Sequence, residues 1–424
     1  MKILFIACYS PFINNSASIR TLYYLNNLCN IDDNEVHLLT VDFPKDSIYY
    51  DEYILGMLDR KVKVHTISGG KLFNKVMPRK SKNEDLKNDC SNNKKISFLK
   101  KVKSVVVSPD MYYNWSFKAA QYGIELMKKE KFNVIFSMHE PPSSHMCAYR
   151  IKKEFKDIPW VAYFSDPWIK DPNRSNMPKI RRKFESHLEK KVIKFADKYV
   201  FVTERNRQDY IDTYGIEKEK TFIAGRGFDL DKYEEVLNSN PPKYIINGKI
   251  NMVHTGEIFT KLRDVNPFIK ALNKLEKSNK QLYEKLNIMF FGNIDDINIK
   301  NKLQELSIIR VENRVPYKEA LEYMIHSEVL ILFSNKNSNQ IPGKIYDYFG
   351  TKNSIFVILG DENDPIIPIV ENKDKCVVTL NTEDDILENI YGLIESVYKE
   401  RYKEPIMEYE WSNVVYKLNE ILKE

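Results

Sequence analysis

The 424-residue sequence contains no run of about 18 apolar residues, so no segment is long and apolar enough to cross a bilayer as a helix. Its five cysteines (Cys8, Cys29, Cys90, Cys147, Cys376) are scattered, odd in number and without the paired spacing of a metal site. They read as reduced thiols of a cytoplasmic protein. There is no internal repeat and no low-complexity tract. No recognised nucleic-acid module accompanies the basic residues, which removes nucleic acid from the expected partners. The opening stretch Met1–Cys8 is too short for a signal peptide and reads as a first buried strand.

What is present is ordinary in amount and uneven in placement. Hydrophobic residues make up 43% and charged residues 29%, as in a globular protein, and the length suggests two domains. Between Lys71 and Lys103 there are eleven Lys or Arg against three Asp or Glu, a net of +8 in a chain whose total is +6. Phe73, Phe98, Leu72, Leu99 and Ile96 are scattered among those cations. A second basic segment, Lys179-Ile180-Arg181-Arg182-Lys183 with Lys190-Lys191, reads as a helix. Both are suited either to solvent or to an anionic membrane surface, where each basic residue contributes about 1 kcal/mol.

Short apolar runs alternate with helical patterns from end to end. Strands are expected at 2–7, 35–41, 63–66, 133–137, 160–164, 198–202 and 221–224, and helices at 18–29, 115–131 and 143–155 between them. After the polar, Pro-containing stretch 237–243 the alternation restarts, with strands at 251–254, 287–291, 308–311, 329–333, 354–358 and 375–378. This βα alternation predicts an α/β protein of two doubly wound, Rossmann-like domains with a ligand cleft at the strand carboxyl ends. The expected division is 1–236, a linker 237–245, and 246–404, with a terminal helix in 405–424 that packs on either half.

The stretch Ile341-Pro342-Gly343-Lys344-Ile345-Tyr346-Asp347 follows the apolar run Val329–Phe333. A Pro-Gly turn, a Lys and a short helix with an acid one turn in suit a phosphorylated nucleotide. Backbone N–H groups and Lys344 meet phosphate, and Asp347 accepts from ribose hydroxyls.

Five segments resemble the GT-B glycosyltransferases of family 4, in particular the bacterial branch that builds surface polysaccharides such as capsule or O-antigen. They are the small-residue loop from Pro11 to Arg20, Ser137-Met138-His139-Glu140-Pro141-Pro142-Ser143-Ser144-His145, and Trp160-Val161-Ala162-Tyr163-Phe164-Ser165-Asp166-Pro167-Trp168. The last two are the stretch from Val200 to Gly227-Phe228-Asp229, and Gly256 through Arg263 with Asn266-Pro267. Each motif alone is common; their order and spacing across both halves are specific together.

The resemblance implies a GT-B fold and a retaining transfer of sugar from a nucleotide-diphosphate sugar, with UDP as the expected nucleotide. The acceptor it implies is a glycan or a polyprenyl-linked carrier, reached from the cytoplasm or the inner face of the membrane. The same resemblance implies donor contacts from Gly256, Arg263, Val315, Asn339, Gln340, Gly343, Lys344 and Asp347, and an acceptor-side role for Arg20. Asp166 is the catalytic candidate on the acceptor side and His139 a second, with His145 weaker. No cofactor and no metal is expected, because Arg263 and Lys344 are placed to offset the diphosphate charge and no Asp-x-Asp cluster is expected at a strand end by the cleft. Two positions depart from the family pattern. Asn339 stands where many members carry a sugar-binding carboxylate, and Glu257 stands where many carry an Arg. These departures support one alternative, a catalytically degenerate binding partner; the other alternative, a GT-B nucleotide-sugar epimerase, needs acids and histidines around the donor sugar, and the neutral Asn339-Gln340 pair argues against it.

Overall fold

A computed structural model describes residues 1–79, 108–171, 174, 176–337, 340–400 and 402–424. Most of the basic stretch Lys71–Lys103 and the candidate Asn339 lie outside the described residues. The described chain divides into two compact units, one of Met1–Gly225 with Val414–Glu424 and one of Arg226–Asn413.

In the first unit seven strands form one parallel sheet. They are β1 (Lys2–Ile6), β2 (Glu35–Asp42), β3 (Lys63–Ser68), β4 (Val134–Met138), β5 (Trp160–Phe164), β6 (Lys198–Phe201) and β7 (Thr221–Ile223). Their order is β3-β2-β1-β4-β5-β6-β7, with Ile3 paired to Val36 on one side and Val134 on the other. The central strands are buried on both faces, as expected for parallel strands covered by helices, and their continuous apolar runs are the sequence signature of it. Helix α1 (Ser16–Cys29) starts where the Asn15 side chain accepts from the Ser18 N–H. Helices α2 (Tyr113–Lys129), α3 (Ser143–Glu154) and α4 (Lys179–Phe195) follow.

The second unit has six parallel strands, β8 (Ile250–Thr255), β9 (Leu286–Phe291), β10 (Ile309–Glu312), β11 (Val329–Phe333), β12 (Ser354–Ile358) and β13 (Cys376–Thr379), in the order β10-β9-β8-β11-β12-β13. Helix α5 (Leu230–Leu237) belongs to this unit, because Tyr233 and Val236 enter its core beside Phe228 and Tyr348. The stretch 237–245, expected as the linker, therefore lies inside the second unit. Helix α6 (Lys344–Phe349) follows β11, and α7 (Trp411–Lys423) returns the chain end to the first unit.

In both sheets strand order reverses once, between β1 and β4 and between β8 and β11. Loops leaving neighbouring strands diverge at such a point and open a crevice at the carboxyl ends. Each unit is Rossmann-like with one such crevice, the architecture of a GT-B fold.

Candidate active-site residues

In the second unit the reversal point is built around Gly256, the first residue after β8. Its φ of +154° lies in the region glycine favours, and its N–H donates to the Phe291 carbonyl at 2.8 Å. Gly292, at φ +143°, lies so near that a Cβ there would come within 2.1 Å of the Gly256 oxygen. Two glycines thus let the loops after β8 and β9 touch backbone to backbone.

Arg263 ties the β8 loop to the β11 loop. Its Nε donates to Asn335 Oδ1 at 2.9 Å and its Nη1 to the Glu257 carbonyl at 2.6 Å. The Lys336 N–H adds a bond to the Leu262 carbonyl at 2.7 Å. The guanidinium is half-buried, and that burial lowers its pKa from the ordinary value. A planar fork held at one edge leaves its outer edge in a fixed direction, which suits phosphate oxygens.

Beneath it, the Tyr348 hydroxyl donates to the Ile331 carbonyl at 3.3 Å, and His254 Nδ1 lies 3.0 Å from the same oxygen. A carbonyl accepts only, so Nδ1 carries the proton. Burial brings the His254 pKa down to about 4, and Nε2 is a buried acceptor beside Gly256 with no partner among the described residues.

Lys344 and Asp347 sit on the first turn of α6, their charged atoms 3.4 Å apart. Gly343, just before them, admits a cation that sequence reasoning did not single out: a Cβ at 343 would lie 2.6 Å from Arg226 Nη1. The only signal for Arg226 was its place between Gly225 and Gly227, ahead of Phe228-Asp229. Gln340 is half-buried in the loop before α6. Val315 follows β10 and packs against the core under that end of the sheet. The second unit thus brings Gly256, Arg263, Val315, Gln340, Gly343, Lys344 and Asp347 to the carboxyl ends of its strands.

In the first unit the residues at the reversal point are Arg20, His139 and Glu140. Arg20, on α1, is 2% exposed. Its Nη2 is 3.5 Å from Glu140 Oε2, and its guanidinium lies over the Tyr163 ring at 5.3 Å. Its Nε and Nη1 have no partner among the described residues. Tyr163, Glu140 and Asp166 all favour its charged form against the cost of burial. Glu140 was quoted in the sequence only as part of a motif; here it is the ion-pair partner of Arg20 and adopts a left-handed φ of +73°.

Asp166 is half-buried in the loop after β5. A helix opening at Pro167 would have given it a capping role, but residues 167–171 form no helix, so that role is excluded. The loop is pinned by Trp168, whose Nε1 donates to buried Glu185 of α4 at 2.9 Å. His139 is buried, stacked on His145 and Phe164, with neither ring nitrogen bonded among the described residues. Burial, with His145, Arg174 and Arg20 adding to it, drives its pKa well down, so the ring is neutral at pH 7. His145 faces Ser137 Oγ at 2.8 Å, and burial brings it down to about 3.

Among the described residues one group has the reach to hold a metal: Glu35, His37 and Glu130, with ligand atoms within 4.8 Å of one another. It lies by the amino ends of β1 and β2, away from the reversal-point loops. Lys2 Nζ already sits 3.1 Å from Glu35 and 2.8 Å from Glu130, with Lys63 also on Glu35. Asp229, in Asp229-Leu230-Asp231, accepts from the Lys232 N–H as the cap of α5.

Residues 54–232 match the family model described as Glycosyltransferase Family 4. No curated protein matches the chain. Among solved structures, a glycosyltransferase from Rickettsia africae is similar at 13% identity and TM-score 0.63, over 100% of this chain and 97% of that one. A UDP-forming trehalose-phosphate synthase from Burkholderia xenovorans is similar at 9% identity and TM-score 0.62, over 100% and 98%. A UDP-GlcNAc 2-epimerase from Neisseria meningitidis, solved with UDP-GlcNAc, is similar at 11% identity and TM-score 0.56, over 100% and 99%. At these identities the likeness establishes the fold. The chain has a GT-B fold, and its residues 54–232 are similar to glycosyltransferase family 4.

Proposed function

We propose that the protein is a retaining glycosyltransferase that moves a sugar from a nucleotide-diphosphate sugar, UDP-sugar first, to a glycan or lipid-linked acceptor in bacterial surface polysaccharide synthesis. The observation that carries this reading is Arg263, a guanidinium fixed between the two loops at the β8/β11 reversal point, with Lys344 on the helix that follows. In the reaction the bond from sugar C1 to the diphosphate oxygen breaks and a bond from C1 to the acceptor oxygen forms. Negative charge grows on the departing diphosphate, and Arg263 and Lys344 stabilise it there, which needs no metal. Gly256 allows close approach of backbone to the phosphates. Asp347, Gln340 and Val315 are assigned to ribose, sugar and base, and Asn339 to the sugar with Gln340.

Donor contacts are assigned to the second unit and acceptor contacts to the first. Asp166 orients the acceptor hydroxyl or takes its proton. Arg20 binds acceptor phosphate, and neutral His139 serves as a hydrogen-bonding partner. Retention by attack on the face the diphosphate leaves requires no enzyme nucleophile. The proposed location is the cytoplasm, peripheral at the inner face of the membrane.

An epimerase shares this fold, and a degenerate binding partner would share the donor site, so activity must discriminate. Incubation with UDP-sugars in the absence of acceptor gives slow release of UDP and free sugar from a transferase. An epimerase yields a second intact UDP-sugar, and a binding partner yields neither.

A further inference from the structure

Helix α4 presents two faces of opposite character. Its two acids turn inward and are essentially fully buried: Glu185 accepts from Trp168, Arg181 and Arg174, and Glu189 from the Tyr210 and Tyr214 hydroxyls at 2.5 Å. Two of its arginines are also drawn in, Arg181 to the Pro109 carbonyl and Arg182 to the Arg174 carbonyl. Lys179, Lys183, His187, Lys190 and Lys194 are left on the outer face. None of these four lysines makes an ion pair among the described residues. That face carries no carboxylate of the helix.

The amino-terminal half of the same face also carries apolar side chains between its lysines. Ile180 is 78% exposed, and Phe184 beside it is also exposed. The apolar surface continues onto α2, where the Tyr113 ring meets Phe184 at 6.1 Å and Phe117 at 5.4 Å. Phe117 is itself 50% exposed, and the Arg150 guanidinium lies 3.6 Å from its ring centroid. Exposed Ile and Phe residues running across two helices, beside lysines that make no ion pair among the described residues, have a cost in water that a covering partner removes.

We propose that this face, Ile180, Phe184 and Phe117 with Lys179, Lys183, Lys190 and Lys194, is an interfacial docking surface for an anionic lipid bilayer. Charge complementarity selects that occupant: lysines without counter-ions among the described residues match a sheet of anionic headgroups, and the apolar side chains between them reach the acyl boundary. A surface built for a neutral protein partner would not keep every acid of the helix on its buried side. The proposal stands on α4 and α2 alone and does not require the sugar-transfer reading. If both hold, the Trp168–Glu185 bond places the docking helix against the loop that carries Asp166, and a lipid-linked acceptor would be met from that side.

The test uses the full chain with vesicles of phosphatidylcholine alone and vesicles containing phosphatidylglycerol. The parent is expected to sediment with the anionic vesicles only, and less so as salt rises. Ile180→Ser with Phe184→Ser, and separately Lys179, Lys183, Lys190 and Lys194→Glu, are each expected to weaken sedimentation by about tenfold or more. A control variant with Lys94, Lys95, Lys100, Lys101 and Lys103→Gln measures what the other basic stretch adds. UDP binding is read on every variant, so that loss of fold or failure of the donor site is seen separately. Absence of binding by the parent to anionic vesicles, or α4 variants that bind as tightly as the parent, overturns the proposal.

Discussion

Arg263→Ala removes a side chain that the structure gives two separable tasks. Internally it donates two hydrogen bonds, to Asn335 Oδ1 and to the Glu257 carbonyl. A hydrogen bond from a charged donor is worth about 1.5–3 kcal/mol, and both acceptors here can recover water in part, so a loss of about 2–4 kcal/mol in the stability of the second unit is expected. Externally, the free edge of the guanidinium is proposed to meet diphosphate. Losing one such contact weakens binding by about 1.5–3 kcal/mol, roughly 10- to 150-fold. Calorimetric titration separates the tasks, because UDP carries the phosphates and uridine does not. The variant should lose one to two orders of magnitude for UDP and about threefold or less for uridine. Arg263→Lys keeps the charge but cannot span both acceptors, so it should recover part of the UDP affinity and little of the stability. Equal losses for UDP and uridine would refute the phosphate role and leave Arg263 a brace between loops.

Further outcomes follow from the same geometry. Asp347→Asn should weaken uridine and UDP alike by about 1.5–3 kcal/mol and spare the 2′,3′-dideoxy analogues; equal loss for the analogues removes the ribose assignment. Asp166→Asn should lower turnover while UDP affinity stays within about twofold, and unchanged turnover would remove Asp166 from the chemistry. Gly292→Ala must fit a Cβ 2.1 Å from the Gly256 oxygen at φ +143° and should cost about 3 kcal/mol or more, read by urea unfolding. His254 is held neutral when folded, with a pKa near 4 against an unfolded value near 6.5. Its contribution is therefore full above pH 6.5 and is lost as pH falls toward 4, at up to about 1.4 kcal/mol per pH unit. His254→Gln should flatten the fall in stability between pH 6.5 and 4.5, and an unchanged slope would contradict it.

The strands were legible because apolar runs such as Val329–Phe333 are short and rich in β-branched and aromatic residues, which favours a covered parallel strand over a buried helix. The unit boundary was less legible. Residues 237–243 have linker composition, yet Tyr233 and Val236 just before them are core residues of the second unit. An apolar helix position announces that it is buried, not which core receives it. The same limit holds at the site. Arg263 could be found from its place after Gly256, but its partner Asn335 lies 72 residues on, across the strand reversal. Arg20 had an acceptor-side role only through the family resemblance, its residue pattern being that of a charge opening a helix. Only the fold reveals that it is buried over Tyr163 and paired with Glu140. Arg226 was missed because a lone Arg between glycines has no periodicity to mark it.

The most direct test of the account follows a panel of UDP-, GDP- and TDP-sugars by NMR in the presence of the protein, with EDTA and without acceptor. One nucleotide-sugar, expected to be a UDP-sugar, should be slowly converted to nucleoside diphosphate and free sugar in equal amounts, and Arg263→Ala should abolish the conversion. Appearance of an epimeric nucleotide-sugar, dependence on added manganese, or tight binding with no conversion of any donor would contradict it.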